Sequence, residues 1–207
     1  MDTVKSIKER RSIRNYLDKD VKLEVISDIL EAGSYAPSSG NLQNWRFIVV
    51  KDKDKIDKIS DACLDQNWMK RAPVHIVICN DNEGIKKMYG KKGDRYSVQN
   101  CAAAIQNIML VAYDKGLGSC WVGAYNGDKI RRILDIPENI LIEAVVTLGY
   151  PAEKPGLRDG KQSRRRFLEH VVFFDSYGNK EIDRSLWPLN KSLLKLRGKL
   201  NLSKFRK

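Results

Sequence analysis

A chain of 207 residues, 42% hydrophobic and 31% charged, is long enough for one full core, and its composition argues against a disordered or low-complexity protein. The formal net charge of +12 favours anionic ligands or partners, but the excess is uneven: 15 Lys and Arg face 6 Asp and Glu between Pro151 and Lys207. Four scattered cysteines without a CxxC pair, and only two histidines, argue against a zinc site or a disulfide framework.

The start, MDTVKSIKERR, lacks the apolar stretch of a secretory leader, and no apolar run nears the ~18 residues of a membrane span, so a soluble cytoplasmic protein is expected. Val4, Ile7 and Ile13 suggest a short amphipathic helix from Thr3 to about Arg11. Leu23, Ile26, Ile29, Leu30 and Gly33 mark a second helix, followed by the loop YAPSSGN and a strand from Trp45 to Val50. KDKDKIDKISDACL reads as a turn into a surface helix, and APVHIVICN as a buried strand. From Asp94 to about Lys115 runs the longest helix signal, with Val98, Cys101, Ala102, Ile105, Ile108, Met109 and Ala112 on one broad face. SCWVGAY then returns as a strand, GDKIRRIL as a short helix, LIEAVVTLGY as a strand and HVVFF as a last strand-like run. Beyond it, Leu186, Leu189, Leu193, Leu196 and Leu200 form an apolar stripe between basic residues.

Three segments could carry chemistry. In KERRSIRNY, Arg10 and Arg14 would share a helix face and repel each other by a few tenths of a kcal/mol, an arrangement that a phosphate would relieve, with Ser12 adding a hydroxyl. On spacing alone a solvated surface paired with Glu9, Asp18 and Asp20 explains it more simply. PSSGNLQNW gathers hydroxyls and amides that suit a heterocycle or polyol, although a Ser/Asn/Gly turn is the plainer explanation. GLGSCWVGAY follows a helix and has the wrong glycine spacing for a dinucleotide fingerprint, yet Gly123 would let backbone N–H groups approach a flat ligand. P-loop and GxSxG motifs are absent, and His75 reads as a hydrogen-bonded strand histidine, so the chemistry would come from a cofactor.

In order and spacing, RRSIRNY, APSSGNLQNWRFIVV, APVHIVI, the Ala-rich helix, GLGSCWVGAY and VVTLGYPAEKP resemble the FMN-dependent nitroreductase family from about Lys5 to Phe173. The resemblance implies an α+β three-layer sandwich, its central mixed, mainly antiparallel sheet flanked by helices and its long helix at a homodimer interface. It implies that Arg10, Arg11, Ser12 and Arg14 hold the FMN phosphate and ribityl end, joined by Arg165 or, given three adjacent arginines, Arg164. Ser38, Ser39 and Asn41 would reach the cofactor from the other subunit, assisted by Gln43. Asn67 and Lys70 would meet the isoalloxazine edge, and Trp121, Val122, Gly123 and Ala124 would lie along the ring. Gly123 stands where some members carry an acid and Asn44 where many carry a proline.

By the same resemblance, NAD(P)H would deliver hydride to flavin N5 and be replaced by a nitroaromatic, quinone or related acceptor, a ping-pong scheme needing no protein nucleophile. Residues 1–175 would form the FMN-binding domain. Residues 176–207 would form a basic, Leu-striped extension packing on the body or the partner subunit, a reading preferred over membrane contact. Two other functions fit less: a nucleic-acid-binding module using Arg164 to Arg166, which lacks any helix-turn-helix, RNP or KH signature, and a protein that stores or remodels FMN without reducing an external substrate.

Overall fold

The computed structural model describes residues 2–152, 166 and 170–179, and the chain divides into two compact units, Met1–Gly156 and Leu157–Lys207. Arg164, Arg165 and the Leu stripe from Leu186 lie outside the described residues.

The first unit carries helices α1 (Thr3–Glu9), α2 (Leu23–Ser34), α3 (Lys53–Ala62), α4 (Glu83–Tyr89), α5 (Lys92–Asp114) and α6 (Gly127–Leu134), and strands β1 (Trp45–Val50), β2 (Val74–Asn80), β3 (Gly118–Val122) and β4 (Leu141–Gly149). Asp2, Asp52 and Asn126 start α1, α3 and α6 by accepting the N–H three residues on, from Lys5, Lys55 and Lys129. The strands form one sheet in the order β1-β2-β4-β3, every neighbouring pair antiparallel.

Strand alternation divides the core in two. Val74, Ile76 and Ile78 of β2 and Ala144, Val146 and Leu148 of β4 pack with Ile26 and Ile29 of α2 and Ile105 and Ile108 of α5. Val77, Cys79, Val145, Cys120 and Val122 pack on the other face with Ile56 and Ile59 of α3 and Ile130 of α6. Helices on both faces of the sheet make the three layers expected. All four cysteines are free and buried.

Several local expectations change. α1 ends at Glu9, and Arg10 leaves it with φ −52° and ψ 135°, so Arg10 and Arg14 do not share a helix face. Val4 and Ile7 are exposed, and Ser6 is the buried residue of α1. On α5 the buried line runs through Ser97, Asn100, Cys101, Ala104, Ile105 and Ile108, which leaves Val98 47% exposed on a neighbouring line. α4 was not expected, because it buries a single apolar residue, Ile85, and has little periodicity to read. In the second unit His170–Phe174 forms no strand; the chain instead folds back, the Phe174 N–H donating to the Asn179 carbonyl at 3.0 Å.

β2 and β4 slip register once: Ile78 faces Ala144 while Cys79 faces Ile142, so Glu143 is the extra residue of a β-bulge.

Candidate functional site

The basic segment is built as an added edge to the sheet. Ser12 pairs with Ser119 of β3 in a parallel bridge, the Ile13 N–H donates to the Ser119 carbonyl at 2.9 Å, and Tyr16 pairs with Pro151. The Tyr16 hydroxyl donates to the Ile13 carbonyl at 2.7 Å and meets Thr147 Oγ1 at 2.7 Å, pinning the segment from beneath; burial pushes this phenol far up. The approach is so close that a Cβ at Gly118 would sit 2.8 Å from three atoms of Ile13.

This edge pairing brings Arg10 and Arg14 beside Cys120 of β3. Burial raises the Cys120 thiol, while the charges of Arg14 and Arg10 and a hydrogen bond with Ser12 oppose that rise, so all three residues bear on Cys120. The Arg14 guanidinium lies 5.6 Å from the centroid of the Trp68 ring. Arg11 turns the other way, its Nη1 donating to the carbonyls of Lys8 and Arg10 at 2.7 and 2.9 Å at the end of α1.

Trp68 belongs to a short 3₁₀ turn, Asn67–Arg71, whose Met69 is fully buried. His75 of β2 supports this turn: its Nε2 lies 3.1 Å from the Met69 carbonyl, so Nε2 carries the proton, and Nδ1 is buried with no hydrogen-bond partner. Burial accordingly pushes the His75 imidazole down to about 4. Lys70 Nζ stands 2.6 Å from Asp61 Oδ1, and that hydrogen bond raises the pKa of its ammonium. Val122 is buried in the cluster against which Trp68 packs, so only its backbone can meet a ligand. Trp121 is 39% exposed, Gly123 and Ala124 are exposed, and a Cβ at Gly123 would meet nothing within 4 Å.

The PSSGN turn is assembled elsewhere, against α5. Gly40, Asn41 and Gln43 all have left-handed φ, 57°, 55° and 44°. Ser38 Oγ accepts from the Gln43 N–H at 3.1 Å, and Gln43 Nε2 donates to Asn41 Oδ1 at 3.1 Å. The N–H and the hydroxyl of Ser39 both donate to Asn100 Oδ1, at 3.1 and 3.2 Å. Ser39 is tied to Asn100 of α5, whereas the end of α1 meets that helix at Tyr113, whose hydroxyl donates to Glu9, about 20 Å further along at 1.5 Å per residue, so one chain brings Arg10, Ser12, Arg14 and Cys120 of β3 together but holds Ser38, Ser39, Asn41 and Gln43 apart from them.

The sequence does not single out Trp68 as a platform for Arg14 or the buried amides Asn80 and Asn100, and it marks Asn44 only as a polar residue of the PSSGNLQNW turn. The available signal is an asparagine directly beside an apolar run, Asn80 after IVIC and Asn100 before CAAAI.

The model of the "Nitroreductase family" matches residues 7–68 and 64–150. A relative from Methanothermobacter thermautotrophicus, provisionally named an NADH dehydrogenase/NAD(P)H nitroreductase, is 41% identical over 82% of this chain and 87% of its own. The FMN reductase [NAD(P)H] of Bacillus subtilis is 30% identical over 74% of this chain and 67% of its own. Among solved structures, an FMN-dependent nitroreductase of Clostridium difficile superposes with a TM-score of 0.70 at 30% identity, covering 84% of this chain and 99% of the other.

Proposed function

The chain belongs to the nitroreductase family, and from that premise we propose that it is an FMN-dependent oxidoreductase that takes electrons from NAD(P)H and passes them to nitroaromatic, quinone or related acceptors in alternating half-reactions. The observation that carries this reading is the pairing of Ser12 and Ile13 with Ser119 of β3, which sets the charges of Arg10 and Arg14 beside Cys120, in the strand that leads to the open backbone at Gly123. That donor set fits a phosphorylated flavin: cations for a phosphate, and bare backbone for a planar ring. Bound FMN supplies a flavin N5 that accepts hydride from the nicotinamide and yields it to the second substrate.

The residues divide the work of binding. Arg10, Ser12 and Arg14 hold the phosphate and ribityl end; stacking on Trp68 orients the Arg14 guanidinium while its N–H groups donate. Arg11, held by the α1 carbonyls, contributes charge rather than a direct bond through Nη1. The family resemblance alone adds Arg164 or Arg165 to this grip, both outside the described residues. Asn67 and Lys70 face the ring edge, where the ammonium stabilises negative charge; the ion pair of Lys70 with Asp61 is open to solvent and so exchanges readily. Trp121 and the backbone of Val122, Gly123 and Ala124 line the ring. Ser38, Ser39, Asn41 and Gln43 serve the site of the second subunit in a homodimer, which their separation from the arginines supports. Exposed Val98 supports a place for α5 at that interface.

The test is a visible spectrum of the purified protein, loaded with FMN, before and after anaerobic NADH or NADPH. A bound flavin that bleaches and is reoxidised by a quinone is expected, whereas protein that cannot be loaded with FMN overturns the reading. Arg14→Ala should weaken FMN binding by about 10- to 100-fold, the loss of one charge-assisted contact, without lowering Tm, since Arg14 is exposed. Unchanged affinity would remove Arg14 from the phosphate grip.

A further inference from the structure

The hydrogen bonds that fix the PSSGN turn do not stop at Asn100. Asn100 Nδ2 donates to Asn44 Oδ1 at 2.8 Å, Asn44 Nδ2 donates to Asn80 Oδ1 at 2.7 Å, and Asn80 Nδ2 donates to Glu143 Oε1 at 2.5 Å. Side branches satisfy the spare donors: Asn44 Nδ2 also reaches the Ser97 carbonyl at 3.1 Å, and Asn80 Nδ2 reaches Ser97 Oγ at 3.0 Å. Every link therefore points the same way, from the N–H and O–H of Ser39 through three buried amides to a carboxylate. No amide in the chain can flip without facing two donors or two acceptors together.

Two further features meet this chain at its ends. Glu143 is the bulge residue of β4, and a bulge is the standard device by which a sheet re-aims one side chain. At the other end, Gln43 holds a left-handed backbone, which in such a residue persists only where the surroundings over-determine it, beside Gly40 and Asn41, which adopt that region readily. The Ser39 hydroxyl directs its only proton to Asn100, so toward a ligand it can only accept.

We propose that Asn100, Asn44, Asn80 and Glu143 are positioning residues that fix and polarise Ser39 as a hydrogen-bond acceptor for an N–H or O–H of the cofactor, the class of group borne by the flavin imide and the ribityl chain. This rests on the FMN reading above. The carboxylate at the far end strengthens each successive link, and its effect reaches the ligand only through Ser39.

The experiment is a pair of double-mutant cycles read as FMN dissociation constants by flavin fluorescence, with Tm of the FMN-free proteins measured alongside. Ser39→Ala and Asn100→Ala should each weaken FMN by about tenfold, and the double variant by well under the ~100-fold of independent sites. Glu143→Gln, which keeps size and an acceptor, should weaken FMN by about two- to fivefold with Ser39 present and not at all in the Ser39→Ala background. That second cycle carries the test if Asn100→Ala does not fold. Independent, multiplicative effects, or a Glu143→Gln effect that persists without Ser39, overturn the proposal while leaving the FMN reading intact. Parent protein that binds no FMN overturns both.

Discussion

The two halves of the proposed FMN site are built on opposite principles. Ser12 and Ile13 are placed by backbone pairing with Ser119 of β3 and Tyr16 by pairing with Pro151, and the side chains that would do the binding project from this paired backbone. The PSSGN turn has no sheet to lean on. Its backbone is left-handed at three positions and is held by side chains rooted in a buried amide chain. The first half is a firm rail carrying replaceable groups, whereas the second is a loop whose own shape is the functional feature. The first should fail when its seat is disturbed, and the second when its conformation is.

Gly118→Ala attacks the seat and should have the largest effect. The new methyl would stand 2.8 Å from Ile13 Cβ, Cγ1 and Cγ2, none of which lies at the end of a long flexible side chain. Overpacking of this kind costs about 1–3 kcal/mol. Urea unfolding should register that loss, and FMN affinity should fall as the arginines move off β3. A variant as stable as the parent would mean that the edge pairing is not what places them.

Acid should loosen the same half through His75. The ordinary histidine value is about 6.5, and in the folded chain burial lowers it to about 4. Between those values the unfolded chain binds a proton that the native state refuses, so this contribution to stability is complete above pH 6.5 and is lost as pH falls toward 4. The slope is at most about 1.4 kcal/mol per pH unit. Urea midpoints at pH 7 and pH 5 should therefore fall further for the parent than for His75→Gln, which lacks the buried imidazole. Equal slopes would mean that His75 is solvated when folded.

How much of this could be read in advance follows the same division. Periodicity located α2, β1, α3, β2, α5, β3, α6 and β4, because each is either amphipathic or wholly apolar over its length. It carries the first helix to about Arg11, whereas α1 ends at Glu9, because the partner that draws the chain into extended pairing there, Ser119, lies more than a hundred residues away. The resemblance supplied the PSSGN residues, but not what holds them. Asn44, Asn80 and Asn100 lie in the loop before β1, at the end of β2 and within α5, and a one-residue slip between β2 and β4 is what turns Glu143 toward them. Neither local propensity nor hydrophobic pattern encodes such a slip.

The smallest effect is the most discriminating between the halves. Gly40 has φ +57°, and an alanine there should cost about 1 kcal/mol in backbone strain. Its Cβ would come within 2.9 Å of Met88 Sδ and 3.0 Å of the Tyr89 hydroxyl, both ends of side chains that can swing aside, so the strain dominates over the clash. Gly123→Ala is the matched control in the other half: its Cβ meets nothing within 4 Å, and stability should change by no more than about 0.5 kcal/mol. Each variant should nevertheless weaken FMN, Gly40→Ala by distorting the turn that presents Ser39 and Gly123→Ala by setting a methyl where the ring would lie. Thermal unfolding of both without FMN, followed by flavin titration, separates the two causes. If Gly40→Ala melts with the parent, the surroundings do not enforce the left-handed backbone at position 40, and the contrast between a loop whose shape is fixed and a rail with replaceable groups fails for the loop.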